Sequence, residues 1–163
     1  MFSQVVLDFV ILGMDDYPRA SPSHTAELHV DLLCWMAFYA KTLKTVSEFL
    51  QITSDTEMFS YDQSRMLTTL EEIHWDPKSQ SYTDVALDKK GKRFHVVHKG
   101  YVSILPLALG LISHKTERLG MTLKMIRDPT YLWSDYGLCS LSKNDEFFGH
   151  GENYWRGPVH NLY

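Results

Sequence analysis

The run Gly13-Met14-Asp15-Asp16-Tyr17-Pro18-Arg19-Ala20 places two adjacent carboxyl groups in a loop bounded by Gly and Pro, with an aromatic ring and a guanidinium directly behind them. Together these groups can break a glycosidic bond. One carboxyl protonates the departing oxygen, the ring packs against the apolar face of a sugar, and the Arg fixes hydroxyls or a neighbouring carboxylate. A general acid must hold its proton near neutral pH. For Asp15, repulsion from Asp16 and a dry pocket would both favour that. Arg19 would oppose it by pairing with Asp15, so Arg19 is expected on Asp16 or on a substrate hydroxyl, with a structural ion pair as the plain alternative. The whole run also reads as an acidic surface turn, since Asp and Pro are turn formers.

Other residues could join such chemistry. Glu27 and Asp31 stand at i, i+4 of an expected helix and share a face there. Like charges at that spacing repel, so a sugar, an Arg from another helix or His29 should compensate; a solvated face is the alternative. Trp35, one turn further, reads as core. Trp133-Ser134-Asp135-Tyr136 before Gly137, and Tyr154-Trp155-Arg156 before Gly157-Pro158, combine rings with polar partners in loops. Groups of that kind hold sugars or anchor a loop to the core.

Taken in order, these segments resemble a known family. They are the acid loop; Ala26-Glu27-Leu28-His29-Val30-Asp31-Leu32-Leu33-Cys34-Trp35; Gly100-Tyr101-Val102-Ser103-Ile104-Leu105-Pro106-Leu107; and Leu132-Trp133-Ser134-Asp135-Tyr136-Gly137-Leu138-Cys139-Ser140-Leu141 followed by Tyr154-Trp155-Arg156-Gly157-Pro158-Val159. They are similar to the catalytic domain of the processing α-glucosidases I, the mannosyl-oligosaccharide glucosidases of glycoside hydrolase family 63. The resemblance runs from Gly13 to Val159.

The resemblance implies a mainly α fold, part of an (α/α)6 toroid of helical hairpins with long functional loops. Residues 1–163 would be a partial catalytic domain, truncated at both ends. The implied activity is inverting hydrolysis of the terminal α-1,2-linked glucose of the triglucosylated N-glycan precursor, a step of N-glycan processing. Inversion needs two carboxyls on opposite faces of the sugar, with room for a water. By position the general acid is Asp15, with Asp16 as alternative or support. Tyr17, Arg19, Glu27, Asp31, Trp133, Asp135, Tyr154, Trp155 and Arg156 fall on the family's substrate-binding segments. The family's base is a Glu well beyond the Tyr-Trp-Arg-Gly-Pro motif, so it is expected past Tyr163 and the isolated chain is expected to be inactive. The implied partner is a glucosylated N-glycan, and no cofactor or metal is implied. Family members are anchored in the endoplasmic reticulum membrane by an upstream segment, so a lumenal location follows from the resemblance alone. The chain departs from the family pattern at Leu12, where a Ser is usual, and at Leu28 and Leu33, where Arg residues are usual.

Composition bounds the alternatives. A chain of 163 residues makes one modest domain. It is too short for twelve helices at about 11 residues each plus loops. Net charge is −4 and the longest basic run is Lys89-Lys90-Gly91-Lys92-Arg93, which argues against a nucleic-acid partner. Two cysteines, Cys34 and Cys139, make neither a zinc site nor a disulfide framework. The apolar start, Met1 to Gly13, lacks a basic opening and a cleavage site and is too short to span a bilayer, so no targeting signal or membrane segment is read from it. Two further classes stay open on the residues alone: a non-catalytic carbohydrate-binding remnant, and a helical interaction module.

The periodicity predicts four helices. The first covers Thr25 to Leu50, with one apolar stripe through Leu28, Leu32, Trp35, Tyr39, Leu43, Val46 and Leu50. The second covers Thr56 to Ile73 and is stopped by Pro77. A hairpin is expected from Ser81–Val85 and Phe94–Val97 around the Lys89–Arg93 turn. The third helix, Tyr101 to Ser113, is apolar on nearly every side and should be buried. The fourth, Lys115 to Asp128, ends at Pro129. From Thr130 onward the chain reads as loop.

Overall fold

The computed structural model describes Met14, residues 16–151 and residues 154–157. Its frame is a hairpin of two long helices, α1 (Val30–Phe49) and α2 (Thr53–Thr69), joined by three residues. Helix α1 starts five residues later than its periodicity suggested. The reason is that Leu28 is held extended, exchanging backbone hydrogen bonds of 2.8 and 3.0 Å with Val85. The first free N–H groups of α1 are then met by carboxylates: Val30 N–H donates to Asp84 at 2.8 Å and Leu32 N–H to Asp31 at 3.0 Å. Anionic groups at a helix N-terminus are favoured by its dipole and its unpaired donors.

The apolar stripe of α1 forms as expected, but it is not the buried face. Trp35, Tyr39 and Val46 are 41, 62 and 48% exposed. The buried side carries Val30, Asp31, Cys34, Ala37, Ala40 and Ser47. The two sets lie on opposite sides of a helix with about 3.6 residues per turn. Small side chains let a neighbour approach closely, and that face meets the rest of the core. Trp35 is therefore a surface residue here and not core.

Helix α2 runs into a π-helical turn, Leu70–His74, that buries Leu70 and His74. Strand β1 (Trp75–Asp76) then pairs antiparallel with β2 (Ser81–Tyr82), and the Asp76 carboxylate accepts the N–H groups of Lys78 and Ser79 in the turn between them. Strands β3 (Asp84–Leu87) and β4 (Arg93–Val96) form a hairpin around the expected Lys-rich turn, with Asp84 opposite Val96 and Leu87 opposite Arg93; its first strand starts later than the expected Ser81–Val85 because Ser81 and Tyr82 pair with β1. Asp88 organises its turn by accepting from the N–H groups of Lys90 and Lys92.

Helix α3 (Tyr101–Ala108) is shorter than expected because Gly110 adopts φ +63° behind its last turn while Leu111 N–H returns to Pro106 O. A left-handed Gly after the last turn is a common helix stop. Helix α4 (Glu117–Arg127) is capped by the Thr116 side chain. A short hairpin, β5 (Trp133–Ser134) with β6 (Gly137–Leu138), interrupts the loops that follow. The described residues are thus mainly helical, with three two-stranded pairs. Tyr17, Val30, Cys34, Leu70, Tyr82, Val102 and Leu141 lie at the centre of the core, and Cys34 and Cys139 are buried free thiols. Among the described residues no helix is long and apolar enough to cross a membrane.

Candidate active site

Tyr17 seats the acid loop. Its ring is 1% exposed, and its hydroxyl donates to His98 O at 2.7 Å. Gly100 lies against it so closely that a Cβ there would collide with the Tyr17 hydroxyl and the Ser140 carbonyl. The expectation that this ring packs on a sugar is corrected: it is enclosed by protein, and its burial places the residues just before it.

Asp16 sits one residue earlier, half-buried, and reaches across the molecule. Its Oδ2 accepts Tyr154 N–H at 3.0 Å and its Oδ1 accepts Trp155 N–H at 2.7 Å. Arg156 Nε donates to the Asp16 carbonyl. The loop so held is fixed from behind as well. Ser140 N–H and Oγ donate to Gly157 O, Gly157 N–H donates to Ser140 Oγ, and Gly149 N–H donates to Arg156 O at 2.7 Å. The Trp155 ring packs edge-on against Tyr101 at 5.9 Å, and the Arg156 guanidinium lies over Phe147. Tyr154 remains 56% exposed beside the acid loop. Asp15 lies outside the described residues.

A second cluster gathers Arg19, Glu27, His29, Asp31 and Asp84. Arg19 is buried and forms 2.5 Å ion pairs with both Asp31 and Asp84. This is the structural ion pair of the two sequence readings, and it corrects the expectation that Arg19 holds Asp16 or a substrate hydroxyl. Glu27 precedes α1, so it shares no helix face with Asp31; its carboxylate accepts His24 N–H at 2.6 Å. Asp31 is compensated by Arg19 and is 1% exposed, which leaves no sugar-lining surface. Burial alone would raise the Asp84 carboxyl, but Arg19 and His29 outweigh it and hold it at about 2. Burial works against protonation of His29, yet Asp84 at 3.7 Å prevails and raises its pKa. His29, Asp31 and Asp84 come close enough to share a cation. The Arg19 guanidinium already supplies the positive charge there.

Trp133 and Asp135 occupy the exposed β5–β6 hairpin, with Arg127 over the Trp133 ring at 5.9 Å. Their connection to the Asp16 junction is indirect: Tyr101 donates its hydroxyl to Leu138 O at 3.1 Å and packs its ring on Trp155. The structure therefore joins Asp16 with Tyr154, Trp155 and Arg156, joins Arg19 with Asp31 and, through Asp84 and His29, with Glu27, and leaves Trp133 and Asp135 apart. Sequence reasoning missed Asp84, which carries the second cluster, because an Asp in an alternating strand has no signature. It also missed the half-buried pair of His98 and Asp145, 2.9 Å apart, whose His98 carbonyl is Tyr17's acceptor. The Gly100-Tyr101 segment was visible as a motif, while its role as a close-approach seat was not.

Residues 9–161 match the glycosyl hydrolase family 63 C-terminal domain. The chain is 51% identical over 147 residues to a probable mannosyl-oligosaccharide glucosidase of Schizosaccharomyces pombe, covering 90% of this chain and 18% of the relative. It is 40% identical over 149 residues to the mannosyl-oligosaccharide glucosidase of Saccharomyces cerevisiae, with the same coverage of each. A plant relative from Arabidopsis thaliana, also named mannosyl-oligosaccharide glucosidase, is 31% identical over 183 residues, covering 90% of this chain and 22% of the relative. The chain thus spans about a fifth of the length of these curated relatives.

Proposed function

The chain belongs to glycosyl hydrolase family 63, and from that premise we propose that it carries the acid side of a glycosidase site used in N-glycan processing. The substrate in this reading is a glucosylated N-glycan oligosaccharide, cleaved at the terminal α-1,2-linked glucose of the triglucosylated precursor. Asp15 protonates the departing oxygen. A water attacks from the opposite face of the sugar, deprotonated by a carboxylate that the resemblance puts beyond the Tyr-Trp-Arg-Gly-Pro motif, and the anomeric centre inverts. Tyr154 offers its exposed ring to the apolar face of the glucose, and Trp133 and Asp135 contact more distant sugars. The 163 residues form part of an (α/α)6 catalytic domain that works in the lumen of the endoplasmic reticulum; the family resemblance supports both.

The observation that carries this reading is the meeting of two motif-bearing loops 138 residues apart, with Asp16 bonded to the Tyr154–Trp155 backbone. The names of the relatives support the substrate class. The test is glucose release from a triglucosylated oligosaccharide, measured for this chain and for a version at the length of its relatives, each beside Asp15→Asn. The longer version should release glucose that appears first as the β anomer, and Asp15→Asn should slow it by about 10² or more. Unchanged activity in Asp15→Asn would remove that residue from the role. First appearance of the α anomer would overturn inversion. Glycan binding without turnover at either length would favour a carbohydrate-binding remnant.

A further inference from the structure

We infer that Asp16 is the positioning residue of this site and not its acid: its carboxylate ties the Tyr154–Gly157 loop to the acid loop, so that the sugar-holding ring and the proton-giving carboxyl are kept in one register. The kinetic side of this inference rests on the proposed function; the structural side rests on geometry alone.

Three consecutive residues donate to this single Asp. Tyr154 N–H takes Oδ2, Trp155 N–H takes Oδ1, and Arg156 Nε takes the main-chain carbonyl. Each carboxylate oxygen thus faces a backbone donor. A general acid needs one oxygen to carry a proton and aim it at the glycosidic oxygen. A proton on an Asp16 oxygen would weaken it as an acceptor for its backbone donor, and turning the carboxyl toward a substrate would break the two bonds that hold Tyr154 and Trp155. The Trp155 N–H is half-buried, and such a donor is costly to leave without its acceptor, so the arrangement resists that turn. The work of proton delivery then falls on the neighbouring Asp15.

The surroundings explain why a tie is needed at this point. The acid loop is anchored on its far side by the buried Tyr17. The Tyr154–Gly157 loop is anchored on its far side by Ser140 and Tyr101. Asp16 closes the gap between two separately anchored loops. Small errors in register between a bound sugar and its acid cost large factors in rate, which is why such ties sit beside reacting groups.

Two measurements test this. The first uses the 163-residue chain and does not depend on activity: amide hydrogen exchange at Tyr154 and Trp155 in wild type, Asp16→Ala and the milder Asp16→Asn. Both amides should exchange about tenfold faster or more in Asp16→Ala, with Asp16→Asn between, while the Leu28 and Val85 amides stay unchanged. Unchanged exchange at Tyr154 and Trp155 would overturn the tie. The second uses the protein at the length of its relatives with two substrates, the glucosylated oligosaccharide and α-glucosyl fluoride, whose leaving group needs no proton. A positioning role predicts that Asp16→Asn lowers kcat on both by similar factors and keeps the alkaline limb of the pH profile. Activity spared on the fluoride alone, with that limb lost, would make Asp16 the acid and overturn the inference. An unchanged kcat with only a lower Tm would make the tie merely structural and overturn it too. Absence of hydrolysis in the wild type would count against the proposed function, and the exchange result would still decide the tie.

Discussion

The Arg19 cluster and the Asp16 junction use the same side-chain chemistry in opposite ways. In the first, a guanidinium and two carboxylates are buried against one another, and Asp84 also accepts the first N–H of α1. In the second, a half-buried carboxylate holds main-chain donors from a distant loop and leaves an aromatic ring facing solvent. Both clusters draw on the acid-loop motif, through Asp16 and Arg19, although Asp84 comes from no motif. The difference is what surrounds them. Charges sealed from water can only serve each other, because any other arrangement strands an ion in a low dielectric. A carboxylate at the edge of solvent has room for a ligand beside it.

The sharpest way to break this comparison is to remove Arg19. Arg19→Ala would leave Asp31 and Asp84 buried without a counter-ion, and stability should fall by about 3–5 kcal/mol. Urea denaturation of this chain measures it, and Asp16→Ala should cost distinctly less. Arg19→Lys should recover only part of the loss, because one ammonium cannot reproduce the forked contact to two carboxylates.

A smaller effect comes from pH. Asp84 titrates at about 2 in the folded chain, against about 3.9 for an unfolded Asp. Its folded value is depressed, so its contribution is complete above about pH 4 and is lost as pH falls through about 2. Wild-type Tm should therefore drop between these values. Asp84→Asn, already less stable at neutral pH, should show a shallower fall over the same interval.

The mildest test is Tyr17→Phe. It removes the bond to His98 O while keeping the ring in its pocket, and should cost about 1 kcal/mol by denaturation. If the ring is structural, affinity for a glucosylated glycan should not change. A loss of affinity without a loss of stability would return Tyr17 to the sugar site.

Much of the secondary structure was legible. The β3–β4 hairpin formed around its Lys-rich turn, and α4 ended where Pro129 required. The differences lay at the ends of elements and in which face of α1 is covered. Helix α1 begins late because Leu28 pairs with Val85, and α3 ends early at Gly110, where the sequence continued to look helical. Periodicity could not foresee a strand partner 57 residues away. For the site, the Asp16 and Tyr154–Arg156 segments were visible as motifs, whereas the meeting of one with the other was not. Tyr17, Arg19 and Asp31 were expected at the sugar, and their burial makes them support for the loops instead.

By itself the sequence determined which residues share a helical face, where turns must fall, and which acids and rings exist to be used. Those are local properties, set by the helical period, by Pro and Gly backbone limits and by side-chain chemistry. Only the tertiary structure decided which face of α1 is covered and which acid meets which partner. Burial and ion pairing depend on what the rest of the chain brings within a few ångströms, so identical carboxylates became a sealed counter-ion at Asp84 and a loop tie at Asp16.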